Sequence, residues 1–357
     1  MSVFKARVKE FEDALAENEI DLSYLRQLCF NGIPDVKSLR PRCWKLLLGY
    51  LGTNRESWNE TLTKKRALYR QFIEELVLPP GLKEAHTLDA RNGCLNDHPL
   101  SEGAESAWNI FFNDNEFLLQ IDKDVRRLCP DISFFQQPTE YPCDIVVNSN
   151  GERRLHQRVV PSVLKAANVE RKGLGITKIN LITKRSEETY EAMEEGQEAH
   201  WEVVQRILFL YAKLNPGQSY VQGMNEIVGP IYYVMASDPD PDYREHAEAD
   251  CFFCFTALMA EVRDFFIKTL DDSEGGIKNM MKRLSQMLQE RDLQIYEHLK
   301  SQELHPQYYS FRIQRDQILQ NDFASNVKLL QNYPFMDINV VLSKAVSLSY
   351  ENCFHPH

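Results

Sequence analysis

The chain has 357 residues, 43% of them apolar and 26% charged, with a formal net charge of -11. This length allows two ordinary domains or one large one with a well-buried core, and the balance is that of a globular chain rather than a disordered or fibrous one. The acidic surplus excludes a general nucleic-acid binder, which needs clustered Lys and Arg to displace counterions, and equally a polybasic membrane anchor.

No window reaches the roughly 18 apolar residues that a membrane-crossing helix requires. The nearest, 227–236, is short and carries Gly229 and Pro230. The first residues scatter charges through the place where a secretory signal needs an apolar core. Ser2 excludes N-myristoylation, and Cys353 lies one place too far from the end for prenylation. The predicted location is cytoplasmic, with any residence on endomembranes coming through a partner. Eight cysteines at irregular spacing read as free thiols, and Cys251 and Cys254 as part of a buried helix face.

Taken in chain order, helical periodicity dominates. Residues 4–18 predict a solvated amphipathic helix and 21–30 a second. Pro41 suits a helix start, so 42–51 is predicted next, followed by 56–78, which Pro79-Pro80-Gly81 closes. Residues 82–104 have little period of their own, and 106–128 are helical again. The segment 131–198 differs, with short β-like or apolar runs such as 143–147 and 176–182. Residues 151–185 hold nine Lys or Arg against two Glu, and 186–198 hold six Glu and no basic residue. That asymmetry predicts a mobile surface insertion, a solvated connection rather than core. From His200 onward, helices are predicted at 200–214, 222–237, 244–270, 275–291 and 292–302. Asp238-Pro-Asp-Pro-Asp242 forms a clear break. No pair of hairpin strands emerges, so the predicted fold is all-α, with two lobes packed side by side.

Two short stretches carry candidate chemistry. On the helix 106–128, Phe117, Leu118, Ile121, Val125 and Leu128 fall on one stripe, which must face the core. Asp124 lies at its edge with Arg127 one turn further on, so the carboxylate can brace the guanidinium. Arg126 points to the other side as an ordinary surface arginine. By spacing alone, the Asp124–Arg127 pair is a solvated salt bridge. In Tyr220-Val-Gln-Gly-Met-Asn225, Gln222 sits where a turn hands over to a helix, and spacing alone makes it a capping partner for free helix amides. Gly223 removes side-chain bulk beside it. A third stretch, Ile33-Pro34 to Leu39-Arg40 and Trp44, places Arg40 and Trp44 four apart, where a guanidinium can stack on an indole. Other chemistries find no support. There is no phosphate-binding Gly-rich loop and no nucleophile elbow, and His246-Ala-Glu-Ala-Asp250 lacks metal-ligand spacing and reads as a solvated helix face.

Together these three stretches resemble the TBC (Tre-2/Bub2/Cdc16) domain of Rab GTPase-activating proteins, over roughly residue 25 to Arg312. Ile121, Asp124 and Arg127 match the family's Ile-x-x-Asp-x-x-Arg motif in register, and Tyr220, Gln222, Gly223 and Met224 match its Tyr-x-Gln-Gly-Met signature. The resemblance implies Arg127 as an arginine finger and Gln222 as a glutamine finger supplied in trans to a GTP-loaded Rab. Asp124, Tyr220, Gly223, Met224 and Asn225 would support them, with Arg40 close to the fingers and Trp44 in the core. It also implies an enzyme activator rather than an enzyme. No cofactor of its own is needed, because GTP and Mg2+ belong to the partner. Domain limits follow: a helical extension over 1–30, the TBC domain over 31–312 with its 131–198 insertion, and a divergent tail over 313–357.

After Arg312 the resemblance breaks. The family continues from Tyr308-Tyr-Ser-Phe-Arg312 into several apolar helices, whereas Ile313–Phe323 here is far more polar. The resemblance therefore implies an absent block in the C-terminal lobe, three to four helices at about 12 residues each. The corresponding alternative is a Rab-binding or trafficking-scaffold module that no longer accelerates hydrolysis.

Overall fold

The structure is a computed structural model that describes residues 3–77, 107–129, 131–147, 154–159, 193–194, 196–267, 271, 273, 276–310 and 315–331. Among these residues regular structure is helical, and the only β features are two isolated bridges, Glu19 with Asn54 and Pro138 with Ala199. The Pro79-Pro80-Gly81 stop predicted for the helix 56–78, the 82–104 stretch and the run 176–182 lie outside the described residues. The chain divides into two compact units, Met1–Phe266 and Ile267–His357.

In the first unit, α1 (Val3–Ala16) turns only Val8, Phe11 and Leu15 inward, as an amphipathic surface helix must. Helix α2 (Leu22–Phe30) starts where Asp21 accepts hydrogen bonds from the amides of Ser23 and Tyr24. Helix α3 (Leu39–Leu47) begins earlier than predicted and takes Pro41 into its first turn. Proline is tolerated there because first-turn amides have no intrahelical acceptor to lose. Helix α4 (Trp58–Phe72) widens into a π turn, Ile73–Val77, that buries Ile73 and Val77. Helix α5 (Ala107–Val125) leads to the first candidate turn.

Helix α6 (His200–Leu214) is buried all round, with only Lys213 and Leu214 outside the core. Such a helix must satisfy each polar side chain inside the protein. Arg206 pairs with Glu198 and with Glu248, the latter at 2.6 Å. Glu202 pairs with Arg154 at 3.1 Å and accepts from the Ala199 amide. Gln205 donates to Asp122 at 3.0 Å. His200 shares a 2.8 Å hydrogen bond with the Tyr232 hydroxyl and stacks on Phe134 at 4.0 Å. Helix α7 (Met224–Ala236) packs against α6 and against α8 (Ala247–Val262), which in turn lies on α4.

Two expectations need correction here. The 131–198 segment is not wholly a surface connection, since Phe135, Val146, Leu155 and Val159 belong to the first core. Its β-like run 143–147 instead forms a helical turn, Asp144–Val147, tied down where the Cys143 amide donates to buried Glu198. The charges of that region hid single apolar anchors spaced between polar residues. The second correction concerns 246–250: Asp250 is fully buried rather than solvated, held by Lys45 at 2.5 Å, Arg66 at 2.8 Å and the Tyr50 hydroxyl at 2.9 Å. Cys251 and Cys254 beside it are buried free thiols, as read from the sequence.

Burial pushes His200 down to about 4. The folded protein then keeps the imidazole neutral where the unfolded chain, with a pKa near ~6.5, takes up a proton. Stability is full above that value and falls as pH drops from about 6.5 towards 4, by on the order of 3 kcal/mol for this group. Denaturant midpoints between pH 7.5 and 5 will decline less steeply in His200→Asn, whereas equal slopes would assign the decline to other groups.

The second unit has its own small core of Ile295, Leu299, Leu304, Tyr309 and Ile318, built by α9 (Ile277–Arg291), α10 (Leu293–Ser301) and short turns. Helix α11 (Phe323–Gln331) adds Asn326, which donates to Gln302 at 2.8 Å and to the Ile318 carbonyl at 3.0 Å. Residues after Arg312 thus contribute to a packed core through Ile318. Ile277, Met280, Met287, Leu293, Tyr308 and Phe323 nevertheless stay exposed.

Candidate functional site

Helix α5 buries Leu118, Ile121 and Val125, with Leu128 just beyond it. The chain leaves the helix at Val125 and closes a tight turn in which the Arg127 amide donates to the Asp124 carbonyl at 3.2 Å. Cys129, at φ 43, ends that turn. Cations are favoured at a helix C-terminus, where free carbonyls leave partial negative charge, and two arginines stand here. Their environments differ. Arg127 has a 58% exposed side chain and is braced by the Asp124 carboxylate, as the three-residue spacing predicts. Arg126, predicted to be the ordinary surface residue, is 26% exposed and already committed. It pairs with Asp122 at 2.9 Å and lies over the Trp201 ring at 4.9 Å.

The second turn follows α6 through Asn215–Val221. Gly223 caps α7 at φ 101, a left-handed conformation that strains any residue with a β-carbon. Space is not its reason, since a β-carbon there would meet nothing within 4 Å. Gln222 is exposed, and its side chain makes no hydrogen bond among the described residues, so it is not the cap that spacing alone suggested. Buried Met224 accepts the Val221 amide at 3.4 Å through its sulfur and shapes the turn from inside.

Three buried polar residues join the turns. The Tyr220 hydroxyl donates to Asp124 at 2.7 Å, and the Asn225 amide donates to the Asp124 carbonyl at 3.4 Å. Asn225 also reaches Glu226 at 3.0 Å. Burial, reinforced by the bond to Asp124, pushes the Tyr220 phenol far above its ordinary range, so it stays a donor. Asp124 is therefore held from below by Tyr220 and Asn225 while its other oxygen grips Arg127. A further contact lies deeper: a β-carbon at Gly229 would stand 3.0 Å from Leu128 Cδ1, tighter than ordinary contact, so the bare position lets α7 lie close against Leu128.

The first motif does not join this network. Arg40 donates to the Ile33 carbonyl at 3.2 Å and lies 3.8 Å from Asp35, instead of stacking on Trp44. Trp44 is half-buried against the first core. Sequence reading missed Asp122, Trp201, Gln205 and Gly229. Only Asp122 had a local signal, its four-residue spacing ahead of Arg126. Among the described residues no cluster of His, Cys, Asp or Glu could hold a metal ion.

Residues 162–326 match the Rab-GTPase-TBC domain family. Mouse TBC1 domain family member 13 is 45% identical over 394 aligned residues, covering 97% of this chain and 98% of that protein. The human protein of the same name is 44% identical over the same shares. A TBC domain-containing protein of Schizosaccharomyces pombe is 37% identical over 87% of this chain and 58% of its own length. Among solved structures, the Ypt/Rab-GAP domain of Gyp1p shares the fold with a TM-score of 0.62 at 20% identity, over 99% of this chain and 100% of that one.

Proposed function

The chain belongs to the Rab-GTPase-TBC family, and from that premise we propose that it stimulates GTP hydrolysis by a Rab-family GTPase through two side chains supplied in trans. Arg127 enters beside the β- and γ-phosphates and neutralises charge that develops as the phosphoryl group leaves. Gln222 orients the attacking water and stands in for the glutamine of the GTPase. The GTPase supplies both nucleotide and Mg2+. This chain contributes positioned groups, with Asp124, Tyr220, Gly223, Met224 and Asn225 holding them, and it meets membranes through the GTPase. The observation that carries the reading is the Tyr220–Asp124–Asn225 bridge, which couples two turns whose Arg127 and Gln222 side chains both face solvent.

Single-turnover GTP hydrolysis across a Rab panel tests it directly. Gln222→Ala will lower the stimulated rate by about 10²-fold, the scale of losing one positioned group. A Rab lacking its own catalytic glutamine will still respond to the intact protein. A refractory Rab mutant together with a fully active Gln222→Ala protein would remove Gln222 from the chemistry.

A binding module without activator function is a second reading, and one observation favours it. The alignment with the mouse relative runs over 394 residues against a chain of 357, so that relative carries residues with no counterpart here. The exposed apolar side chains of the second unit fit such a loss. A chain that binds GTP-loaded Rab without hastening hydrolysis, and regains activity once the relative's extra residues are restored, would establish this second reading.

A further inference from the structure

We infer that Arg126 is a positioning residue for the arginine turn: clamped by Asp122 and Trp201, it fixes where Arg127 is presented. This rests on the proposed activator function and names a residue outside the two fingers. The anchor is built from both sides. Asp122 is buried on α5 and offers one carboxylate oxygen to Arg126 at 2.9 Å and the other to Gln205 on α6 at 3.0 Å. Trp201, one turn before Gln205 on the same helix, lies under the Arg126 guanidinium at 4.9 Å. Beyond the Arg126 amide, which still donates to the Asp122 carbonyl at 3.3 Å, the four-residue ladder gives way to the three-residue bonds of a turn, Arg127 to Asp124 and Leu128 to Val125, both at 3.2 Å. The Asp124 contact fixes the Arg127 side chain, whereas the Arg126 clamp fixes the adjoining backbone to α6. That helix runs on to the Gln222 turn, so the clamp references both turns to one rigid element. A planar guanidinium suits this place because one face can stack while its edge meets a carboxylate.

The test compares four variants of the full chain in single-turnover hydrolysis at increasing activator concentration, with Arg127→Ala as the reference. Arg126→Ala will lower the saturating rate by about 10–10²-fold, the scale of a misplacement near 1 Å. The half-saturating concentration will stay within about twofold, since Arg126 faces its own protein. Asp122→Asn will act in the same direction, and the double variant will be no worse than Arg126→Ala alone. Arg126→Lys will recover only part of the rate, and it carries the test if the alanine variant fails to fold. A parent-level rate for Arg126→Ala beside an inactive Arg127→Ala would overturn this inference and leave the proposed function standing. So would full rescue by lysine with a normal Asp122→Asn, which would mean that bare charge suffices. A raised half-saturating concentration at an unchanged rate would instead make Arg126 a contact to the partner and overturn its positioning role. If Arg127→Ala itself hydrolyses normally, the proposed function falls, and the inference with it.

Discussion

Replacing Arg127 by alanine will abolish most of the stimulated hydrolysis while the protein stays folded. An arginine finger contributes ~10³–10⁵ in rate, equivalent to roughly 4–7 kcal/mol of transition-state stabilisation. The side chain can be removed without opening the core, because more than half of it is exposed and the apolar stripe of α5 lies on the other side. Asp124 keeps the Tyr220 hydroxyl and the turn keeps its backbone bond to the Asp124 carbonyl. Lysine will rescue poorly, since an ammonium lacks the planar fork that spans two phosphate oxygens. Single-turnover hydrolysis, with a parallel measurement of binding to GTP-loaded Rab, reads the two effects apart. Normal hydrolysis by the alanine variant would end the finger assignment.

Asp250→Ala will cost about 3–5 kcal/mol of stability, because it strands buried Lys45 and half-buried Arg66 without their shared carboxylate. A loss of that size is a large part of the ~5–15 kcal/mol that holds a typical protein together. Burial alone would raise the Asp250 carboxyl, but the Arg66 hydrogen bonds and the Lys45 charge outweigh it and hold the group below the ordinary range. The folded carboxylate therefore stabilises the protein above an unfolded aspartate pKa of ~3.9, and this contribution disappears as pH falls below it. Chemical denaturation will show a much lower midpoint for Asp250→Ala than for Lys45→Met. The Lys45→Met/Asp250→Leu pair will recover part of the loss, since a packed apolar pair escapes the cost of a stranded charge. A midpoint within about 0.5 kcal/mol of the parent, the range of an ordinary surface substitution, would make Asp250 dispensable.

The two effects were unequally legible in the sequence. Asp124 and Arg127 are three residues apart on one helix, so a helical wheel contains their geometry. The long periodic helices were readable for the same reason, as was the buried face carrying Cys251 and Cys254. Asp250 depends on Lys45, Tyr50 and Arg66, which arrive from α3, α4 and the turn between them. No local pattern encodes such meetings, and the charges of 246–250 pointed towards solvent. Phe135, Val146, Leu155 and Val159 were missed in a similar way, because each is an isolated anchor in a polar stretch. Gly223 was noticed for its missing bulk, whereas its backbone angle is what requires glycine. Arg126 was dismissed because a wheel shows which way a side chain leaves its own helix and not what a second helix places there.

Gly229 is where α7 passes closest behind the arginine turn. Leu128 directly follows Arg127, and α7 directly follows Gln222 and Gly223, so the gap between Leu128 and position 229 works as a spacer between the two turns. A side chain there presses first on the tip of Leu128, which has to give by a few tenths of an ångström. Under the proposed function, bulk added at this buried position acts on the arginine turn from behind, through the leucine that follows Arg127.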